Sequence, residues 1–229
     1  NWQHIKFFFI YIDIKMKLSI IIPIYNEVST ITKILNKVHA QKQYKKEIII
    51  IDDFSTDGTR ELLKNEINKS VHKIIYNDKN YGKGYSVRQG INAASGDVIL
   101  IQDADLEYDP SDYNVLLNPI INYDADVVYG SRFIGSEEKR VLYFWHTVGN
   151  KILTFLSNMF TNLNFTDMEV CYKVFKSSII KDIKLYENRF GFEPEVTAKI
   201  AKKNLKIFEV GVKYYGRKYA DGKKITWRD

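Results

Sequence analysis

Short apolar runs alternate along the chain with segments in which apolar residues recur at helical spacing. The run LSIIIPI at 18–24 is apolar throughout, as expected for a strand whose two faces are both buried. From Val28 to Val38 the apolar residues recur every three or four positions, which predicts an amphipathic helix. Further strands are predicted at 47–51, 71–76, 97–102 and 126–129.

Helices are predicted between these strands. Thr56 or Asp57 is placed to cap one helix, a second is expected around 84–94, and Asp109-Pro110-Ser111 opens a third. This alternation over about 115 residues predicts an α/β fold, with a Rossmann-like, mostly parallel sheet and helices on both faces. After the fifth strand the alternation weakens. The candidates for added strands there are 171–175 and 207–212.

Polar, acidic or glycine residues follow every predicted strand of the alternating region. In parallel sheets ligands bind beyond the carboxyl ends of the strands, so these residues are the first candidates for a site. In strand order they are Pro23 to Glu27, Asp52-Asp53, Gly82-Lys83-Gly84, Asp103-Ala104-Asp105 and Gly130-Ser131-Arg132. Their convergence on one edge is stronger evidence for a site than any single motif.

Composition narrows the class of protein. Of 229 residues, 45% are apolar and 27% charged, which is ordinary for a folded globular protein, and the single cysteine, Cys171, excludes an internal disulfide framework and a cysteine-based zinc site. The 34 Lys and Arg outnumber the 28 Asp and Glu, and the net charge of +6 suits an anionic partner: phosphate groups, a membrane surface or nucleic acid. The glycines at 82–84 lack the third glycine of a dinucleotide fingerprint, and no P-loop is present, so neither motif supports hydride transfer or nucleotide hydrolysis.

Asp103 and Asp105 are candidate metal ligands. One residue separates them in an extended turn, so both carboxylates can face one side, and two hard oxygen donors suit Mg²⁺ or Mn²⁺ bridging a diphosphate. Glu107 is a candidate third ligand. The alternative for the two aspartates is a loop of helix-capping acids, and the alternative for Glu107 is a solvated acid. Asp52-Asp53 could hold a ribose or a base N–H, or else cap the next helix. Lys83 between two glycines could approach phosphate, or be an exposed loop lysine.

These motifs resemble a known family. P-x-Y-N-E, D-D-x-S-x-D-G-T, D-A-D and G-S-R, in this order and spacing, are similar to the family 2 glycosyltransferases with a GT-A fold. Three downstream motifs resemble the branch that includes dolichyl-phosphate mannose and glucose synthases: 166–169, 190–193 and 215–217. The match covers roughly 17–229. The chain departs from it at 167–171, which lacks the glycine of D-x-x-x-G, and at 221–224, which matches the mannose-synthase ending only in part.

The resemblance implies a role for each matching residue. The donor nucleotide-sugar would be bound by Pro23, Tyr25, Glu27, Asp52, Asp53, Lys83, Asp103 and Ala104. Asp103 and Asp105, with Glu107 as a further candidate, would hold Mg²⁺ or Mn²⁺. The catalytic residues would be Asp105, Asp167, Arg132 and Arg217, with the two arginines on the acceptor phosphate, since guanidinium is a bidentate partner for phosphate.

Three functions remain open. The first is inverting, metal-dependent transfer of a sugar from a UDP-glucose or GDP-mannose type donor to a polyprenyl phosphate. The second is transfer to a sugar hydroxyl, which needs a general base; Asp167 is the first candidate, before Glu193 and Glu195. The third is a non-catalytic nucleotide-sugar-binding protein. Nucleic acid is not favoured as a partner, because Lys and Arg are scattered and no aromatic-basic motif appears.

We expect residues 1–15 to be an N-terminal extension without function and 16–229 to be one catalytic domain. The apolar run at 5–12 is far shorter than the roughly 20 residues that cross a bilayer, although it could be an interfacial anchor. The apolar helical stretch at 140–165 is either core packing or an interfacial helix that guides a lipid to the site. The second interpretation predicts a cytoplasmic protein at the inner face of a membrane.

Overall fold

The apolar runs of the sequence form a seven-stranded sheet. The computed structural model describes residues 16–135 and 143–217, so the expected extension at 1–15 and the ending at 221–224 lie outside the described residues. The strands are β1 (Lys17–Ile24), β2 (Lys45–Asp52), β3 (Lys73–Tyr76), β4 (Val98–Ile101), β5 (Val127–Ser131), β6 (Lys173–Lys176) and β7 (Ile207–Gly211). Their order in the sheet is β3-β2-β1-β4-β6-β5-β7.

All neighbouring strands pair in parallel except β6, which is antiparallel to both β4 and β5. The predicted α/β fold with a mostly parallel sheet is therefore confirmed, and both candidate added strands belong to the same sheet. The reversal of β6 matters for the site. Because Lys173 at the start of β6 pairs with Tyr129 near the end of β5, the segment 166–172 reaches the edge where β4 and β5 end.

Seven α-helices occur in the described residues: α1 (Ile31–Ala40), α2 (Thr59–Leu62), α3 (Lys83–Ala93), α4 (Tyr113–Tyr123), α5 (Phe144–Thr161), α6 (Ser177–Lys181) and α7 (Phe192–Ala201). The predicted capping residues lie at helix starts: the Asp57 carboxylate accepts a hydrogen bond from Thr59 N at 3.0 Å, and that of Asp109 accepts one from Ser111 N at 2.9 Å. Over 16–135 and 143–217, the structure contains no helix with the length and apolar character that crossing a membrane requires.

A buried acid, Glu47, links the elements at the amino ends of the parallel strands, away from the candidate site. The Glu47 carboxylate accepts hydrogen bonds from Ser19 Oγ at 2.5 Å, from Ser95 N at 2.7 Å and from Lys17 Nζ at 2.9 Å. Burial by itself would raise the pKa of Glu47, but these bonds to the ionised form outweigh it and lower the pKa from 4.5 to about 2. The ionised carboxylate therefore ties β1, β2 and the loop before β4 together.

We expect Glu47→Gln to lower the free energy of unfolding by about 2–3 kcal/mol at pH 7. Since the folded pKa lies below the unfolded value of 4.5, this contribution is complete above pH 4.5 and is lost as the pH falls toward 2. Urea unfolding of both proteins at pH 7 and pH 3.5 checks it: the difference should be smaller at pH 3.5. The exposed Glu66→Gln is the matched control, with a change within about 0.5 kcal/mol at either pH. An equal loss for Glu47→Gln at both pH values would contradict the assignment.

Candidate active site

Loops from several elements meet at the carboxyl edge of the sheet, and three of them contain backbone in the left-handed region. Asn26 after β1, Phe54 after β2 and Leu106 after β4 have φ of 53°, 67° and 64°. Non-glycine residues adopt this conformation at a cost of about 1–3 kcal/mol, which the surrounding structure must supply. The loops are therefore held in specific shapes where the sequence analysis expects a site.

Lys83, at the start of α3, joins the acid after β4 to an acid of α7. Its Nζ lies 3.1 Å from Asp103 Oδ1 and 3.4 Å from Glu193 Oε1. Burial by itself would lower the pKa of Lys83, but the charges of Asp103 and Glu193 outweigh it and raise the pKa well above its ordinary value. The ammonium is therefore charged at neutral pH and lies against the candidate metal ligand. Lys83 is not the exposed loop lysine of the alternative interpretation.

The glycines beside Lys83 serve packing against another loop. A Cβ at Gly84 would lie 2.5 Å from the Glu187 carbonyl oxygen, and one at Gly82, where φ is 103°, would lie 2.5 Å from that of Asn188. The segment 187–189 thus packs directly onto the start of α3, and this contact brings α7 and Glu193 beside Lys83. The sequence analysis attributed these glycines to close approach of phosphate, whereas the structure gives them a contact within the chain.

Arg217, which follows β7, lies among three acids. Its Nη2 is 3.0 Å from both Asp105 Oδ2 and Glu27 Oε1, and its backbone N donates to Glu107 Oε1 at 2.7 Å. Glu107 also accepts a hydrogen bond from Tyr214 Oη at 2.8 Å. Arg217 is therefore the internal counter-ion of this acidic group. Its expected contact with an acceptor phosphate would require it to leave or share these partners.

Asp105 lies in an excess of negative charge. Burial and then the charges of Asp103 and Glu107 raise its pKa to about 7, although Arg217 opposes the shift. Such crowding of carboxylates is relieved by a bound cation. Within 16–135 and 143–217 no three His, Cys, Asp or Glu side chains are grouped so as to hold a metal ion.

Two carboxylates are nevertheless a sufficient protein contribution for Mg²⁺ or Mn²⁺. These hard cations are commonly held by one or two carboxylates together with substrate phosphates and water. Asp103 and Asp105 fit such an ion, although each already pairs with a cationic side chain, Lys83 and Arg217 respectively. Glu107 accepts hydrogen bonds from Tyr214 Oη and from the Arg217 backbone N, and its role as a third ligand stays a prediction.

Arg132 and Asp167 form a buried ion pair beside the site. Arg132 donates to the Asp167 carboxylate from Nε at 2.7 Å, from Nη2 at 2.6 Å and from its backbone N at 2.9 Å. Asp167 is 0% exposed. The carboxylate thus orients the guanidinium and presents no surface to a substrate, which corrects the expectation that Asp167 is the first candidate for a general base. A second Arg132 Nη2 contact reaches Asn150 Oδ1 of α5 at 3.2 Å.

The two aspartates after β2 have contacts within the chain. Asp52 is fully buried and accepts a hydrogen bond from Arg60 Nε at 2.6 Å. Asp53 accepts bonds from the backbone N of Tyr81 at 3.0 Å and of Gly82 at 2.7 Å, and so fixes the loop that leads to Lys83. Both side chains shape the predicted donor pocket from behind. Of the other residues expected there, Pro23, Glu27 and Ala104 are buried and Tyr25 is exposed.

Comparison with known proteins identifies the family to which the chain belongs. The model of glycosyl transferase family 2 matches residues 19–184, which is most of the chain. The chain belongs to glycosyl transferase family 2. This match includes the loops after β1, β2, β4 and β5, on which the motifs of the sequence analysis lie.

Two curated relatives show what this family 2 chain is similar to. It is 24% identical over 213 residues to the dodecaprenyl-phosphate galacturonate synthase of Rhizobium johnstonii, with 91% of the chain and 62% of the relative covered. It is 27% identical over 217 residues to the dolichol-phosphate mannosyltransferase of Pyrococcus furiosus, with 92% and 61% covered. The chain thus spans about three fifths of the length of these relatives.

The fold of the family 2 chain matches solved structures. Glucosyl-3-phosphoglycerate synthase from Mycobacterium tuberculosis, crystallised with Mn²⁺, UDP and phosphoglyceric acid, superposes with a TM-score of 0.70 at 16% identity. The superposition covers 90% of this chain and 73% of that one. At this identity the likeness concerns the fold, and it confirms the expected GT-A architecture.

Three residues at or just before the start of β6 lie near the candidate site, and none of them was given a role from the sequence: Glu169, Cys171 and Lys173. The Cys171 thiol is buried, and burial followed by the charge of Asp103 raises its pKa well above the ordinary value. Glu169 is half-buried, and burial together with the charge of Glu193 raises its pKa to about 7. Lys173 is completely buried in β6. Their nearness to Asp167 in sequence was the available signal, but only the antiparallel insertion of β6 shows that this segment reaches Asp103.

Proposed function

We propose that this family 2 protein transfers a sugar from a nucleotide-diphosphate sugar to a polyprenyl phosphate, with inversion at the sugar C1. The observation that carries the acceptor assignment is the position of Arg132. Its guanidinium contacts Asn150 on one side of α5, and the opposite side of α5 is a long apolar surface. One helix therefore has a cation that suits a phosphate on its inner side and a surface that suits a lipid chain on its outer side.

The apolar surface of α5 consists of side chains that the protein core does not cover. Among the residues of α5 only Thr154 is buried, while Trp145 is 78% and Phe160 80% exposed. The large apolar side chains exposed along the helix are Phe144, Trp145, Ile152, Leu153, Phe155, Leu156, Met159 and Phe160. This exposure opposes core packing and supports the interfacial interpretation, in which α5 lies on a membrane surface. The residues at 140–142 lie outside the described part of the chain.

Donor binding is assigned to the opposite side of the site. Asp103 and Asp105 would hold Mg²⁺ or Mn²⁺, and Lys83 would meet the diphosphate from the start of α3. The metal would neutralise charge that builds on the leaving nucleoside diphosphate. Glucosyl-3-phosphoglycerate synthase from M. tuberculosis has been crystallised with Mn²⁺ and UDP and with Mg²⁺ and UDP, which is consistent with this choice of cation.

A phosphate acceptor, which needs no general base, also agrees with the hydrogen bonds that the candidate bases make within the chain. A phosphate monoester has a second pKa near 6, so it is largely ionised at neutral pH and needs positioning more than deprotonation. Asp167 is engaged by Arg132, and the Glu195 carboxylate accepts hydrogen bonds from Tyr186 N at 2.9 Å and from Lys199 Nζ at 2.5 Å. Two of the three expected bases are thus bound within the chain, which favours a nucleophile that is already charged.

Acceptor competition tests this assignment. The protein is given UDP-glucose or GDP-mannose, Mn²⁺ or Mg²⁺, and equimolar short polyprenyl phosphate, the matching polyprenol and a soluble oligosaccharide, and the products are identified by mass spectrometry. We expect the glycosyl phosphodiester of the polyprenyl phosphate. A glycosylated oligosaccharide without lipid product would replace the proposal by transfer to a sugar hydroxyl.

We expect Trp145→Asp combined with Phe155→Asp to weaken binding to lipid vesicles at least about tenfold, because each substitution removes apolar area worth about 1.5–3 kcal/mol on burial. Co-sedimentation with vesicles of neutral and anionic phospholipid measures it. Val115→Asp, at an exposed apolar position of α4, is the matched control and should bind like the unsubstituted protein. Equal binding of all variants would remove α5 from the membrane contact.

A further inference from the structure

Two carboxylates lie beside the proposed donor site and take no part in metal binding. Glu193 is 3% exposed, and its Oε1 is the atom near Lys83. Its Oε2 is buried and has no hydrogen-bond partner in the part of the chain that the structure describes. A buried carboxylate oxygen without a partner is costly, so its persistence here calls for a ligand.

Glu169 lies near residues of both the proposed donor side and the proposed acceptor side. Asp167, two residues before it, is bonded to Arg132, and the charges that act on the Glu169 carboxyl group are those of Glu193, Lys173, Arg132 and Asp167. No residue within 16–135 or 143–217 forms a hydrogen bond with this half-buried carboxylate. Glu169 is therefore an uncommitted carboxylate within electrostatic reach of Glu193, the partner of Lys83, and of Arg132.

Lys173 holds the backbone on both sides of Glu169. Its buried ammonium donates to the carbonyl oxygen of Met168 at 3.1 Å and to that of Val170, and it lies 4.6 Å from the centre of the Tyr129 ring. A buried cation that bonds the carbonyls before and after one residue fixes the direction of that residue's side chain. The position of Glu169 is thus built into the fold, which is the requirement for a specific ligand contact.

We infer that Glu169, with Glu193 behind it, binds hydroxyl groups of the transferred sugar and selects a neutral hexosyl group over a hexuronosyl group. The inference rests on the proposed function. In a single displacement, the sugar C1 lies between the leaving diphosphate and the attacking phosphate. Glu169 lies near residues of both assigned groups, namely Glu193, beside Lys83, and Arg132. Carboxylates accept charge-assisted hydrogen bonds from hydroxyls, while two of them repel a sugar that carries a carboxylate of its own.

Donor binding by calorimetry, without acceptor, tests the inference. The ligands are UDP, UDP-glucose and UDP-glucuronate, or the GDP-mannose and GDP-mannuronate pair with GDP if the guanosine donor is the one transferred. For the unsubstituted protein we expect at least about tenfold preference for the neutral sugar. Glu169→Gln should reduce that preference to within about threefold, and Glu169→Asp should keep the discrimination against the hexuronate while weakening neutral-sugar binding. Glu66→Gln is the matched surface control.

Binding of UDP or GDP alone distinguishes failure of this inference from failure of the proposed function. If neither UDP nor GDP binds to the unsubstituted protein, the proposed function falls and the inference falls with it. If the nucleotide binds equally to all variants and Glu169→Gln keeps the full sugar preference, only the inference is overturned. Loss of transfer in Glu169→Gln with donor preference intact would also overturn it, because Glu169 would then act on a proton or on the acceptor.

Discussion

Replacing Asp105 by asparagine should lower metal-dependent sugar transfer by about a thousandfold or more, a loss of roughly 4 kcal/mol of transition-state stabilisation. Asp105 lies in the excess of negative charge that Asp103 and Glu107 create, and its carboxylate is one of the two to which we assign the cation. An amide has the same shape but lacks the charge that balances a divalent ion. The loss should therefore appear in turnover, and the fold should persist because Arg217 keeps its contact with Glu27.

Initial rates of transfer over a range of Mn²⁺ concentrations measure this effect. Asp124→Asn is the matched control, since the Asp124 carboxylate is exposed and pairs with Lys176 on the surface. It should leave the rate unchanged. Asp105→Asn with a normal rate that still depends on metal would show that the cation is held elsewhere, and the assignment of the aspartates after β4 would be wrong.

Asp167→Ala should have the largest effect on stability, lowering the free energy of unfolding by about 3–5 kcal/mol. The substitution leaves the Arg132 guanidinium buried without the carboxylate that accepts hydrogen bonds from its Nε and Nη2, and it also removes the acceptor of the Arg132 backbone N–H. A buried charge that loses its partner costs far more than the intact pair contributes. Arg132→Met combined with Asp167→Leu removes both charges and should recover most of the stability while transfer remains lost.

Urea unfolding and transfer rates of the single and double variants distinguish two roles for Asp167. As the partner that orients Arg132, it should show a loss of stability that the second substitution largely reverses. As a general base, it would show little change in stability and a large loss of turnover. The second pattern would restore the expectation that the structure corrects.

The strands could be predicted because their apolar runs are continuous, and continuity follows from burial on both faces of the sheet. The location of the candidate site could be predicted from the same strands, because the carboxyl ends of parallel strands lie at one edge of the sheet. The reversal of β6 could not be predicted, because a four-residue strand is equally apolar in either direction. Its consequence, the arrival of Glu169 beside Glu193, was hidden for the same reason.

The residues of the site could be predicted more reliably than their roles. Asp103 and Lys83 lie together as expected. Asp167 has the residue type of a base, but its role depends on Arg132, which is 35 positions away in sequence and adjacent in space. Likewise, the glycines beside Lys83 serve the approach of the segment 187–189. A short sequence motif can identify a candidate functional loop. The partner of each side chain in that loop depends on how elements distant in sequence pack together.

Transfer of radiolabelled sugar from UDP-glucose and from GDP-mannose to a short polyprenyl phosphate, with label counted in the organic phase, tests the proposed acceptor and metal together. We expect label in the organic phase with one of the donors in Mn²⁺ or Mg²⁺, and its loss when EDTA is added. Absence of organic-phase label with both donors, while a water-soluble glycoside forms, would contradict the lipid-phosphate acceptor. Transfer that persists unchanged in EDTA would contradict the metal site at Asp103 and Asp105.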